Sequence, residues 1–102
     1  MINIESKIID NTWNVNLSGE LDVSNCNKLK LYLNELLEEQ MLDITLDIKR
    51  LEYIDSTGLG IIIGILKVLK GNEKEIKIVN CRDNIKKILN ITGLDKIFNL
   101  EG

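Results

Sequence analysis

The apolar residues of this chain switch between two spacings, and the order of the switches narrows the fold to one class. Ile2, Ile4, Ser6 and Ile8 alternate with polar residues, the period of a half-buried strand. After Asp10-Asn11, a turn pair, Trp13, Val15 and Leu17 alternate again, so the chain opens with a hairpin. Ser18-Gly19-Glu20-Leu21-Asp22 reads as a loop, and Ser24 as the N-cap of a helix beginning near Asn25. Cys26, Leu29, Leu33, Leu36 and Leu37 follow at helical spacing, with Lys28, Lys30, Glu35 and Glu38 outward. A third strand spans Leu42 to Ile48.

Asp55 or Ser56 caps the next helix, which runs to Lys70 and stops at Gly71. Ile61-Ile62-Ile63-Gly64-Ile65-Leu66 has strand propensity, and a short strand is the local alternative. The longer pattern favours a helix, because Leu59, Ile62, Ile63, Leu66 and Leu69 share one face. A fourth strand covers Glu75 to Asn80. Arg82-Asp83 leads into a third helix with Ile85, Ile88, Leu89 and Thr92 on one side, ended by Gly93. Ile97 to Leu100 fits a last short strand. The order β-β-α-β-α-β-α-β implies an α/β fold: a mixed, mostly parallel sheet opened by a hairpin, with right-handed crossovers and helices packed on the sheet. The 102 residues suit one domain, 1–102. The carboxyl ends of the parallel strands then share one edge, where such sheets usually hold their sites. Asp22, Asp55 and Ser56 are expected to meet there.

Bulk properties remove several function classes. The net charge is −3 and the lysines are scattered, with no basic stripe and no interleaved aromatics, so nucleic acid is not an expected partner. No apolar run reaches the ~20 residues of a membrane span, and Met1 to Glu5 lacks the signature of a signal peptide. A cytoplasmic location is expected. Cys26 and Cys81 are far apart and in no metal-binding spacing; they read as buried free thiols. No cofactor or metal site is indicated.

Within Ile54-Asp55-Ser56-Thr57-Gly58-Leu59-Gly60, Ser56 is a poor candidate for a nucleophile. The chain contains no histidine, the flanks are not Gly-x-Ser-x-Gly, and no lysine base sits in the three loops expected at that edge, Gly19–Asp22, Glu52–Thr57 and Asn80–Asp83. Asp55-Ser56-Thr57-Gly58 occurs once, so no paired-aspartate site forms. The helix start could cradle a phosphate, yet no phosphate-loop or dinucleotide glycine motif is present. No enzyme activity is expected. On local grounds Ser56 could simply be an N-cap, worth ~1 kcal/mol. Ile61, Ile65 and Val68 form a second apolar line on the helix flank, beside Gly60 and Gly64, which are one turn apart. That line either packs under a neighbouring helix or faces a protein partner.

Gly19-Glu20-Leu21-Asp22, Asp55-Ser56-Thr57-Gly58-Leu59-Gly60 and Ile91-Thr92-Gly93-Leu94 together resemble the bacterial anti-sigma factor antagonists, proteins with a STAS domain, and the likeness spans nearly the whole chain. The resemblance implies an unphosphorylated protein that binds an anti-sigma factor, itself a serine kinase, and so frees a sigma factor. It implies phosphorylation at Ser56, with Thr57 the rival acceptor, and a phosphoserine phosphatase that resets the protein. The expected partner surface is Asp22, Asp55, Ser56, Gly58, Gly60, Ile61, Gly64, Ile65 and Val68, on a monomer. A docking module that acts on no sigma factor is the alternative, and a small nucleotide-binding protein a more distant one.

Overall fold

Asp10 and Asn11 both take left-handed backbone angles, with φ of 51° and 61°. Two such residues in succession make a turn whose twist suits a hairpin. It joins β1 (Ile2–Ile9) to β2 (Thr12–Leu21) antiparallel, with Ile9 opposite Thr12. The rest of the computed structural model, which describes residues 1–93 and 99–101, follows as α1 (Cys26–Glu39), β3 (Asp43–Ile54), α2 (Ser56–Gly71), β4 (Ile76–Val79), α3 (Asp83–Thr92) and β5 (Asn99–Glu101). The strands lie side by side in chain order, and every pairing after the hairpin is parallel. This is the expected α/β order. The last strand falls on Asn99–Glu101; Ile97 and Phe98, also expected in it, lie outside the described residues.

One face of the sheet carries the core. Val15, Leu17, Ile44, Leu46, Ile76 and Ile78 join Leu29 and Leu33 of α1, Ile62 and Leu66 of α2, and Ile85 and Leu89 of α3 in a single buried cluster. Each fully buried leucine among them contributes roughly 1.5–3 kcal/mol of transfer energy. The Trp13 indole sits at the rim and donates to the Gln40 carbonyl at 2.9 Å, which satisfies its one polar atom. Cys26 and Cys81 are free and buried. Burial pushes the Cys81 thiol up, so it stays protonated and unreactive at neutral pH.

Several boundaries differ from the sequence reading. Ser18 to Leu21, expected as a loop, finish β2. Gly19 makes this possible: its φ is +97°, and a Cβ there would lie 2.1 Å from the Met1 carbonyl oxygen. β3 runs to Ile54 instead of Ile48. Its pairing with β2 slips between Asn16 and Ser18 and again between Gly19 and Glu20, each time with one extra residue in β3. Such bulges break the two-residue alternation, so exposed Lys49 and Arg50 hid a strand that continues to buried Leu51 and Ile54. β4 is shorter than expected, Ile76 to Val79, because Glu75 stays outside it and Asn80 turns left-handed at φ 57°.

Residues 61–66 are helical, not a strand. The buried arc of α2 is Gly58, Leu59, Ile62, Ile65, Leu66 and Leu69. Ile65 therefore belongs to the core, while Ile63, expected there, is only half-buried. In α3, Ile85 and Leu89 are buried as expected; Thr92 instead is exposed and bonds back to the Ile88 and Leu89 carbonyls. Gly93 ends the helix in the left-handed conformation.

Candidate functional site

The carboxyl ends of β2 and β3 bring two short connections together, and Asp55 ties them. Its amide donates to the Leu21 carbonyl at 3.1 Å. One carboxylate oxygen accepts from the Gly58 amide at 2.8 Å and caps α2. The other accepts from the Val23 amide at 3.1 Å. Asp55, not Ser56, is thus the N-cap, and it also latches the turn before α1. The lengthened β2 and β3 reduce the expected loops to Asp22–Asn25 and to Asp55 itself.

Asp22 is occupied within its own turn. Its carboxylate accepts from the Ser24 amide and from the Ser24 hydroxyl. Ser24 therefore does not cap α1, as expected from its type; the residue preceding the helix is Asn25, which uses its side chain elsewhere. Asn25 accepts from the Asp22 amide at 3.0 Å and donates to the Glu20 carbonyl at 2.8 Å. The Ser24 hydroxyl, chiefly, holds the Asp22 carboxyl below its ordinary value. A depressed folded-state pKa means that this support is present above the unfolded value and is lost only as the pH falls through the lowered one. The turn is intact across the neutral range.

With Asp55 as cap, Ser56 is the first residue of α2. Ser56 and Thr57 are both exposed. Among the described residues, neither hydroxyl has a hydrogen-bond partner in the chain, so hydrogen bonding does not distinguish Thr57 from Ser56. Both amides sit at the open start of the helix, where N–H groups lack intrahelical partners and the dipole favours negative charge.

Downstream on α2 the expected surface residues divide. Gly58 is buried: a Cβ there would come within 2.8 Å of Leu21 Cγ and 3.2 Å of Ile54 Cγ1. Gly58 and Ile65 were both expected on the partner surface, and both face the core. Gly60 and Gly64 are exposed, and a Cβ at either would meet nothing within 4 Å. Ile61 is half-buried and Val68 is 43% exposed. They line a shallow groove whose far wall is Lys30 and Asn34 of α1.

The sequence reading missed Val23, which is 72% exposed beside Asp55, and Asn25. The Asp-x-Ser spacing of Asp22 and Ser24 is a turn signal that could have found this motif. Arg82, which leads into α3, is exposed. It donates to the Lys49 carbonyl at 2.9 Å, and Asn84 to the Glu52 carbonyl at 3.1 Å. These bonds satisfy the part of β3 that outruns β4. No helix among the described residues is long and apolar enough to cross a membrane.

Comparison with known proteins places this geometry. Residues 3–102 match the family model of the STAS domain. The anti-sigma-B factor antagonist of Staphylococcus aureus is 35% identical over 99 residues, 97% of this chain and 92% of that protein. An anti-sigma factor antagonist from Mycobacterium paratuberculosis superposes with a TM-score of 0.89 at 25% identity, over 99% of this chain and 86% of that one. SpoIIAA of Bacillus, 19% identical, shares the fold in its unphosphorylated form (TM-score 0.85, 98% of this chain and 88% of that one) and in its phosphorylated form (0.77, 98% and 91%). The chain belongs to the STAS domain family.

Proposed function

We propose that this chain is an anti-sigma factor antagonist, docking to an anti-sigma factor kinase while Ser56 is free and releasing it once Ser56 is phosphorylated. The observation that carries the reading is the division of labour at the head of α2. The Asp55 carboxylate takes the capping bonds, so the adjacent Ser56 hydroxyl is exposed with no structural duty. A residue with no role in holding the fold can be modified without unfolding it.

Relatives named as anti-sigma factor antagonists support the first half of this reading. SpoIIAA, a protein of the same fold, is solved in unphosphorylated and phosphorylated forms, so this fold can carry a phosphate. The docking surface proposed for the kinase comprises Asp22, Asp55, Ser56, Val23, Gly60, Ile61, Gly64 and Val68. It leaves out Gly58 and Ile65, which face inward. Thr57 remains the rival phosphate acceptor, since it is as exposed as Ser56. A phosphatase of the same pathway would return the protein to its binding form. No catalysis by the chain itself, no cofactor and a cytoplasmic setting complete the proposal.

The test is co-purification from the native host with wild-type, Ser56→Ala and Ser56→Asp baits. A serine-kinase anti-sigma factor is expected with the wild type and with Ser56→Ala, and not with Ser56→Asp. Capture of other regulators by all three, with no such kinase, would favour a docking module outside sigma-factor control.

A further inference from the structure

The geometry points to a second copy of this chain as the occupant of the free edge of β1, paired antiparallel about Ser6. This goes beyond the kinase switch and replaces the expectation of a monomer.

β1 is the outer strand of the sheet on the hairpin side. The two-residue turn Asp10-Asn11 makes Ile9 and Thr12 the closing hydrogen-bonded pair of the hairpin. Counting back by twos, Lys7, Glu5 and Asn3 turn their N–H and C=O groups toward β2. Ile8, Ser6, Ile4 and Ile2 turn theirs outward. The Lys28 ammonium, which donates to the Ile2 carbonyl at 3.4 Å, lies where this parity puts an outward oxygen. An unpaired row of backbone groups on an outer strand is a template for another strand.

Side chains select the register. Glu5 and Lys7 are exposed on the same face of β1, and neither forms an ion pair among the described residues. When two copies pair with Ser6 opposite Ser6, Glu5 of each copy faces Lys7 of the other, and Ile4 faces Ile8. Opposite charges directly across strands stabilise a pair, and like charges destabilise it. A register shift of two residues, which moves the two-fold from Ser6 to Glu5 or to Lys7, puts Glu5 against Glu5 or Lys7 against Lys7. Registers centred closer to the start of the strand need the Ile2 carbonyl, which Lys28 already occupies. The Ser6-centred register uses only the outward groups of Ile4, Ser6 and Ile8. It also covers Ile8, which is 40% exposed.

The resulting two-fold axis is perpendicular to the sheet. Both helical layers lie on one side of a continuous sheet, and the two Ser56 edges point in opposite directions. Each copy keeps its own Ser56 accessible.

The experiment is analytical ultracentrifugation of the full chain across its soluble concentration range, with circular dichroism to verify folding. Wild type is expected to dimerise. Glu5→Lys and Lys7→Glu each place like charges across both contacts and should weaken self-association roughly tenfold or more. An equimolar mixture of the two variants restores every opposite-charge contact, and so does the double variant; both should regain wild-type association. A wild type that stays monomeric throughout overturns the proposal, as do single variants that dimerise like wild type or a mixture that stays monomeric.

Discussion

Replacing Ser56 by aspartate is expected to weaken binding to the anti-sigma factor kinase by about a hundredfold or more, while Ser56→Ala keeps wild-type affinity. The asymmetry follows from where the charge sits. In the free protein a negative group at Ser56 lies at the start of α2, where the helix dipole favours it by roughly 0.3–1 kcal/mol. The Asp55 carboxylate, one residue away, opposes it. The two nearly cancel in a solvated position, so the fold is unaffected and the melting temperature stays within a few degrees of wild type. A complex that covers Ser56 must instead desolvate the charge, and an unpaired buried ion costs several kcal/mol. Each 1.4 kcal/mol is a factor of ~10 in affinity. Titration calorimetry of the three proteins against the kinase measures the difference directly. Equal affinities would remove the switch.

The glycines of α2 are expected to respond in opposite directions to the same substitution. Gly58→Ala pushes a methyl group into Leu21, which is fully buried, and toward Ile54. Leu21 cannot swing away, because its backbone carbonyl holds Asp55 and its side chain is enclosed. Such overpacking costs about 1–3 kcal/mol. Gly60→Ala and Gly64→Ala meet open space, so each removes unfolded-chain entropy and should stabilise the free domain by roughly 0.5–1 kcal/mol. If the groove beside them receives the kinase, those more stable variants bind it less well. Urea denaturation and binding titrations on all three variants separate the roles. Unchanged binding by Gly60→Ala and Gly64→Ala would move the partner off this groove.

The order of elements was legible because hairpin and helices each obey a clean period. Val15 and Leu17, then Leu29, Leu33 and Leu36, repeat as their structures require. The end of β3 was not legible because two bulges, around Lys49 and Glu52, shift its alternation, and the end of β2 was not because Gly19 within it reads as a loop residue. On α2 the residues 61–66 are nearly all apolar. Periodicity then separates faces poorly, and it exchanged Ile63 for Ile65. The burial of Gly58 depends on Leu21, 37 positions earlier, a contact that no local pattern encodes. At the site, Asp55-Ser56 stood out from the chain, but two residue types compete for one cap. Only the bonds of Asp55 to Gly58 and Val23 decide that the carboxylate takes the cap and leaves the hydroxyl free.

The most direct measurement is on the chain after treatment with its kinase and ATP. A single phosphate mapped by peptide mass spectrometry to Ser56, an unchanged melting curve and loss of kinase binding are the predicted result. A phosphate on Thr57 instead, or a Ser56 phosphoprotein that binds as tightly as before, would contradict it.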